Sequence, residues 1–180
     1  EEASPGAESV YGESKAAGDF SIETSGCAHL ILRTSWVYGA RGGNFAKTML
    51  RLAQERDEIK VVADQVGCPT STATLAAACW RAIGVGLEPA AEAALPRILH
   101  WSDAGAASWY DVAVAVGELG LELGLLEQMA QVHPITTADY PTPAQRPSYS
   151  LLDCSETRRV LELPAVHWRQ ALRQLLEVVK

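Results

Sequence analysis

The sequence has no basic cluster. Its 15 Lys and Arg are outnumbered by 22 Asp and Glu, for a net charge of −7. A nucleic-acid partner, which needs a Lys/Arg footprint, is therefore not expected. No apolar run reaches membrane-spanning length, so no membrane partner is expected either. The opening residues EEASPGAES are acidic and lack the apolar stretch of a secretory signal. The four cysteines, Cys27, Cys68, Cys79 and Cys154, form no C-x-x-C pair. They read as reduced thiols of a cytoplasmic protein. The four histidines show neither H-x-x-x-H nor H-E-x-x-H spacing, and no metal site is expected. Internal repeats are also lacking.

What is present is the balance of a soluble globular protein, 48% apolar and 21% charged over 180 residues. A helix is predicted over 8–25, stopped by Gly26. The aperiodic apolar run CAHLILRTS predicts a buried strand at about 27–34. SWVYGARGG reads as a loop. NFAKTMLRLAQER follows, with Phe45, Met49, Leu50, Leu52 and Ala53 on one helical face. IKVV reads as a strand, ADQVGCPTS as a turn-rich loop, TATLAAACWRAIG as a helix, and GLEPAAEAALP as a surface loop. RILHWS is another strand. Ser108 and Asp111 then have capping-box spacing at the head of a helix. HPITTADYPTPAQRPSYS, with its prolines, is extended and irregular, and two helices close the chain. Strands alternating with helices predict an α/β fold with a mainly parallel sheet.

VYGESKAAGD places Tyr11 and Lys15 four residues apart, on one face of the first predicted helix. A phenol is a weak acid near neutral pH, and an ammonium held beside it favours the phenolate form. Such a pair can exchange a proton with an oxygen on a carbon that receives hydride. The same spacing also fits an ordinary helix whose tyrosine packs and whose lysine is solvated. Gly12, Ser14, Ala16, Ala17 and Gly18 leave one side of this helix small, open to a flat cofactor or a second helix.

Five stretches, VYGESKAAGD, LRTSWVYGARGGNFAKTMLRLA, DQVGCPT, SWYDVA and YPTPAQRPSYSLLD, run in the order found in one family. The chain resembles the C-terminal part of dTDP-4-dehydrorhamnose reductases, which are extended short-chain dehydrogenases/reductases. The resemblance implies the C-terminal part of a doubly wound, Rossmann-like parallel sheet plus a smaller mixed α/β substrate-binding lobe. Residues 1–40 and about 70–105 would belong to the dinucleotide-binding domain, and about 41–69 and 106–180 to the sugar-nucleotide lobe. It implies NADPH, or NADH, as cofactor and a dTDP-sugar as substrate; a homodimer is left open. Tyr11 would be the general acid and Lys15 the ligand of the nicotinamide ribose. Thr34 and Ser35 would lie beside the nicotinamide. Trp36 would line the sugar site, Arg146 would contact the nucleotide-sugar, and Asn44, Gln65 and Thr70 would join them. Each has a plainer alternative: Trp36 as a core residue, Arg146 as a surface residue, Gln65 and Thr70 as turn shapers, Asn44 as a helix cap.

Three departures from the family pattern stand out. No glycine-rich G-x-x-G-x-x-G turn precedes Tyr11, and the GARGGNF turn fails the pattern at Phe45. The expectation is that a nucleotide-binding half, on the order of 100 residues, is absent and that the chain as it stands is inactive alone. The Ser or Thr that polarises the substrate carbonyl in the superfamily has no good match, since Ser4 and Ser9 lie just ahead of the motif. STATLAAAC carries no acidic residue, so the bridging metal of some family members is not carried over. A non-catalytic reductase-like binding subunit and a reductase of another dTDP-deoxysugar remain rival readings.

Overall fold

The computed structural model describes residues 9–87, 95–144 and 146–179. The loop expected over 1–7, Ser4, and the middle of the GLEPAAEAALP loop lie outside the described residues. Helix α1 spans Val10–Thr24, and the Ser9 hydroxyl caps it by accepting the Gly12 N–H at 3.1 Å. Gly26 (φ 75°) lies just past its end, in the left-handed conformation that glycine adopts without strain. Then come β1 (Ile31–Thr34), β2 (Val37–Tyr38), α2 (Phe45–Glu55), β3 (Glu58–Val62), β4 (Val66–Gly67), β5 (Thr70–Ser71) and α3 (Thr72–Gly86). The chain continues with β6 (Ile98–Trp101), β7 (Ala107–Ser108), α4 (Trp109–Glu122), β8 (Gln131–Ile135), α5 (Ser155–Leu161) and α6 (Trp168–Val178).

The strands pair two by two. β1 pairs with β6, β2 with β5 and β3 with β8, all parallel, while β4 and β7 run antiparallel. This is the α/β, mainly parallel arrangement that the alternation of elements predicts. Three loops turn out to hold strands. β2, β4 and β5 have two residues each, too few to carry a periodic signal. β8 is hidden in the sequence by Pro134, which lacks a backbone N–H; among the described residues the strand has one partner, β3, where Pro134 faces Val61. The expected strand at 27–34 begins only at Ile31, because His29 folds back to the Cys27 carbonyl at 2.8 Å.

Two hydrophobic cores result. The larger lies among α2, β3, α4 and α6. In β3, Ile59 and Val61 point inward and their neighbours outward, the period of a one-sided strand. On α6, Trp168, Ala171, Leu172, Leu175 and Leu176 recur at helical spacing and are all buried. Each such leucine contributes about 1.5–3 kcal/mol by leaving water. α4 is the shared wall. Its Gly120 lies so close to Leu126 that a Cβ there would meet Cδ1 at 2.8 Å. The capping box is in place: Ser108 Oγ accepts the Asp111 N–H, and Asp111 accepts the Ser108 N–H. The smaller core joins β1 and β6 to α3 and α5.

α1 stands apart from both cores. None of its residues is buried, and Val10, Tyr11, Phe20 and Ile22 are exposed. An ion pair, Asp19 with Arg33 of β1 at 2.9 Å, ties it to the rest.

Candidate functional site

Tyr11 and Lys15 share one face of α1, with the Lys15 Nζ 5.5 Å from the centre of the Tyr11 ring. Tyr11 is 72% exposed, so its hydroxyl is open to a ligand. Tyr38 makes the opposite case. It is 6% exposed, and its hydroxyl donates to the Trp168 carbonyl at 3.2 Å. Burial, with the Asp103 carboxylate beside it, pushes its pKa up, and it stays a neutral phenol.

A second group forms where β1 ends. Thr34 closes the strand and is exposed. The Ser35 hydroxyl donates to the Cys68 carbonyl at 2.8 Å. Trp36 follows with φ 43°, a left-handed backbone rare for a bulky residue and a mark of local strain. Its carbonyl accepts the N–H of the fully buried Thr70 at 3.1 Å, which joins β2 to β5 at this point. The Trp36 indole stacks on Trp109, with ring centres 3.7 Å apart and planes 7° apart. Phe45 tilts against Trp109 at 4.7 Å. These rings, with Asn44, Pro69 and Trp168, line a cavity of about 160 Å³.

Asn44 caps α2. Its Oδ1 accepts the Lys47 N–H at 3.1 Å and its Nδ2 donates to the Gly39 carbonyl at 2.7 Å. Gln65 is 7% exposed; its Oε1 accepts the Trp109 Nε1–H at 3.2 Å and its Nε2 donates to Thr137 Oγ1 at 3.0 Å. Arg146 is exposed, on the strap over 146–150, and reaches Thr142 Oγ1 at 3.5 Å. The strap is pinned to β4, where the Val66 N–H donates to the Ser148 carbonyl and the Ser150 N–H to the Val66 carbonyl, both at 2.8 Å. The structure thus sets Trp36 and Asn44 in the cavity lining and buries Gln65 and Thr70 behind it, where they bond to Trp109 and Trp36; it keeps Tyr11 and Lys15 together on α1 and leaves Arg146 on the strap. Reading the sequence did not single out Trp109. Its signal was an aromatic residue directly after the Ser108 cap.

Asp103 was also missed. It is 2% exposed and lies on the turn after β6. Its carboxylate accepts the Ser71 N–H at 2.9 Å and the Thr74 hydroxyl at 2.5 Å, fixing the first turn of α3. Burial raises its pKa above the usual carboxylate value, and the donors from Thr74 and Ser71 oppose that rise only in part. Folding thus favours the protonated acid. Its contribution to stability is fully present below about pH 4 and is lost as pH rises through the raised value. Urea unfolding of wild type and Asp103→Asn over this range should show wild type losing ground to the variant as pH rises. Wild type gaining ground would contradict the shift.

The RmlD substrate binding domain family matches residues 1–180. A dTDP-4-dehydrorhamnose reductase of Sinorhizobium fredii is 42% identical over 176 residues, 98% of this chain and 58% of its own length. One from Escherichia coli is 40% identical over 93% of this chain and 55% of its own. The chain thus spans about half the length of the curated relatives it matches. The crystal structure of a dTDP-4-dehydrorhamnose reductase from Bacillus anthracis in complex with NADP superposes with a TM-score of 0.84 at 32% identity. It covers 100% of this chain and 59% of that one.

Proposed function

This chain belongs to the RmlD substrate binding domain family, and on that premise we propose that it supplies the proton-donating and sugar-nucleotide-binding part of an NADPH-dependent reductase. The reaction is reduction of the C4 keto group of dTDP-4-dehydro-6-deoxy-L-mannose to dTDP-L-rhamnose. The observation that carries this reading is the Tyr11–Lys15 pair on the open face of α1, in a chain 42% identical to a reductase of that name.

NADPH, or NADH in its place, supplies the hydride when bound. The residues here suit its nicotinamide-ribose end: an exposed ammonium and an exposed phenol on one helix face, with Thr34 and Ser35 at the end of β1. Tyr11 gives its hydroxyl proton to the C4 oxygen as that oxygen gains charge. Lys15 holds ribose hydroxyls. Trp36 lines the sugar, with Asn44 in the same wall and Thr70 and Gln65 behind it. The Arg146 guanidinium, on an exposed strap, suits a diphosphate. In domain terms, 1–40 and about 70–105 belong with the dinucleotide, and about 41–69 and 106–180 with the sugar nucleotide. α5 is the exception, since it packs in the smaller core against α3 and β6. Among the described residues no helix is long and apolar enough to cross a membrane. The cytoplasm is the proposed compartment.

The test is a spectrophotometric assay of the full-length protein with the dTDP-4-keto sugar and each cofactor in turn. Oxidation of NADPH that depends on the keto sugar is the expected result. No oxidation of either cofactor, or a clear preference for another dTDP-deoxysugar, would overturn the assignment.

A further inference from the structure

Trp36 has a backbone that costs energy to hold and an indole that half-faces solvent, so something must fix it. The contacts behind it form an unbroken chain. The Trp36 ring lies flat on Trp109 at 3.7 Å. Trp109 Nε1–H donates to Gln65 Oε1 at 3.2 Å. Gln65 Nε2–H donates to Thr137 Oγ1 at 3.0 Å, and the Thr137 hydroxyl donates to Asp64 Oδ1 at 2.7 Å. Each member uses its polar group on the next. In an acceptor-poor aromatic wall the indole N–H has Gln65 as its partner, and losing that partner leaves a donor unsatisfied.

We propose that Gln65 is a positioning residue: it fixes the rotation of Trp109, and Trp109 in turn holds the Trp36 indole flat against the sugar site. This rests on the reductase reading above and changes what Gln65 does within it. Its amide is committed to the protein on both sides, so it serves the substrate through two rings.

The test pairs kinetics with the indole ¹H–¹⁵N spectrum of the full-length protein. A ring stacked on another is shifted upfield by its neighbour's ring current, so the Trp36 indole signal, assigned by Trp36→Phe, reports the stack directly. Gln65→Met keeps the volume and loses both hydrogen bonds. It should return the Trp36 signal toward its unstacked position. The KM for the keto sugar should rise about tenfold, with kcat within about threefold of wild type. Gln65→Glu keeps the oxygen that accepts the Trp109 N–H and loses only the donor to Thr137, so it should recover more of both readouts than Gln65→Met does. A Trp36 signal unmoved in Gln65→Met overturns the proposal. So does an equal rise in KM for both variants with the stack intact, which would mean that Gln65 touches the substrate itself. If Gln65→Met fails to fold, Trp109→Phe removes the same N–H and keeps a ring. It must then raise KM in the same direction, and an unchanged KM overturns the proposal. Wild type that shows the shifted signal, loses it in Gln65→Met, and reduces no keto sugar would support the clamp and sink the reductase reading.

Discussion

Replacing Tyr11 by phenylalanine in the full-length enzyme should lower kcat by about 10²–10⁴, the usual share of a positioned general acid. The ring remains, so what is lost is the proton alone. Hydride delivery to a carbonyl carbon leaves a negative oxygen unless a proton arrives with it. Tyr38 cannot substitute, because its hydroxyl is buried and bound to the Trp168 carbonyl. The fold should not notice. In the 180-residue chain Tyr11 is 72% exposed on a helix with no buried residue, so the thermal midpoint of that chain with Tyr11→Phe should match that of the unaltered chain. Steady-state kinetics beside a melting curve separates the two effects. Near-normal turnover in the variant would remove Tyr11 from the chemistry.

Gly67→Ala should damage both stability and substrate binding. A Cβ on Gly67 would lie 2.6 Å from Cε2 and 2.8 Å from Cζ2 of Trp36, and 2.8 Å from Ser150 Oγ. The serine can rotate. The indole yields only by leaving its stack on Trp109. Overpacking of this kind costs about 1–3 kcal/mol, which urea unfolding would register. The displaced Trp36 should also raise the KM for the keto sugar by about tenfold or more while leaving the KM for NADPH near wild type. An alanine variant of unaltered stability and KM would show that Trp36 is not clamped at this point.

These two positions were not equally legible beforehand. Tyr11 and Lys15 stand four apart in a run of small residues, and a helix makes that spacing a face whatever the rest of the fold does. The Ser108–Asp111 box is local in the same sense and formed as its spacing predicts. Asn44 could be read as a cap from its place before an apolar helical face, and it caps α2. Gly67 could not be weighted, because the need for glycine comes from Trp36, 31 positions earlier in the chain (67 − 36). Gln65 fits its motif, but its two hydrogen bonds run to Trp109 and Thr137, 44 and 72 positions away. Asp103 carried no motif at all; its burial and its hold on α3 come from the packing of β6 beside Ser71 and Thr74. Local periodicity and capping chemistry are written in neighbouring residues. Clamps between distant loops are not.

The measurement that bears most directly on the whole account follows the hydrogen itself. The full-length protein would be given the dTDP-4-keto sugar and NADPH carrying deuterium at the transferable position, and the product examined by NMR. The account predicts a dTDP-6-deoxyhexose with deuterium bound to C4 and a hydroxyl on the same carbon, formed at least about a hundredfold more slowly by Tyr11→Phe. Recovery of unreduced keto sugar, or of a product without deuterium at C4, would contradict it.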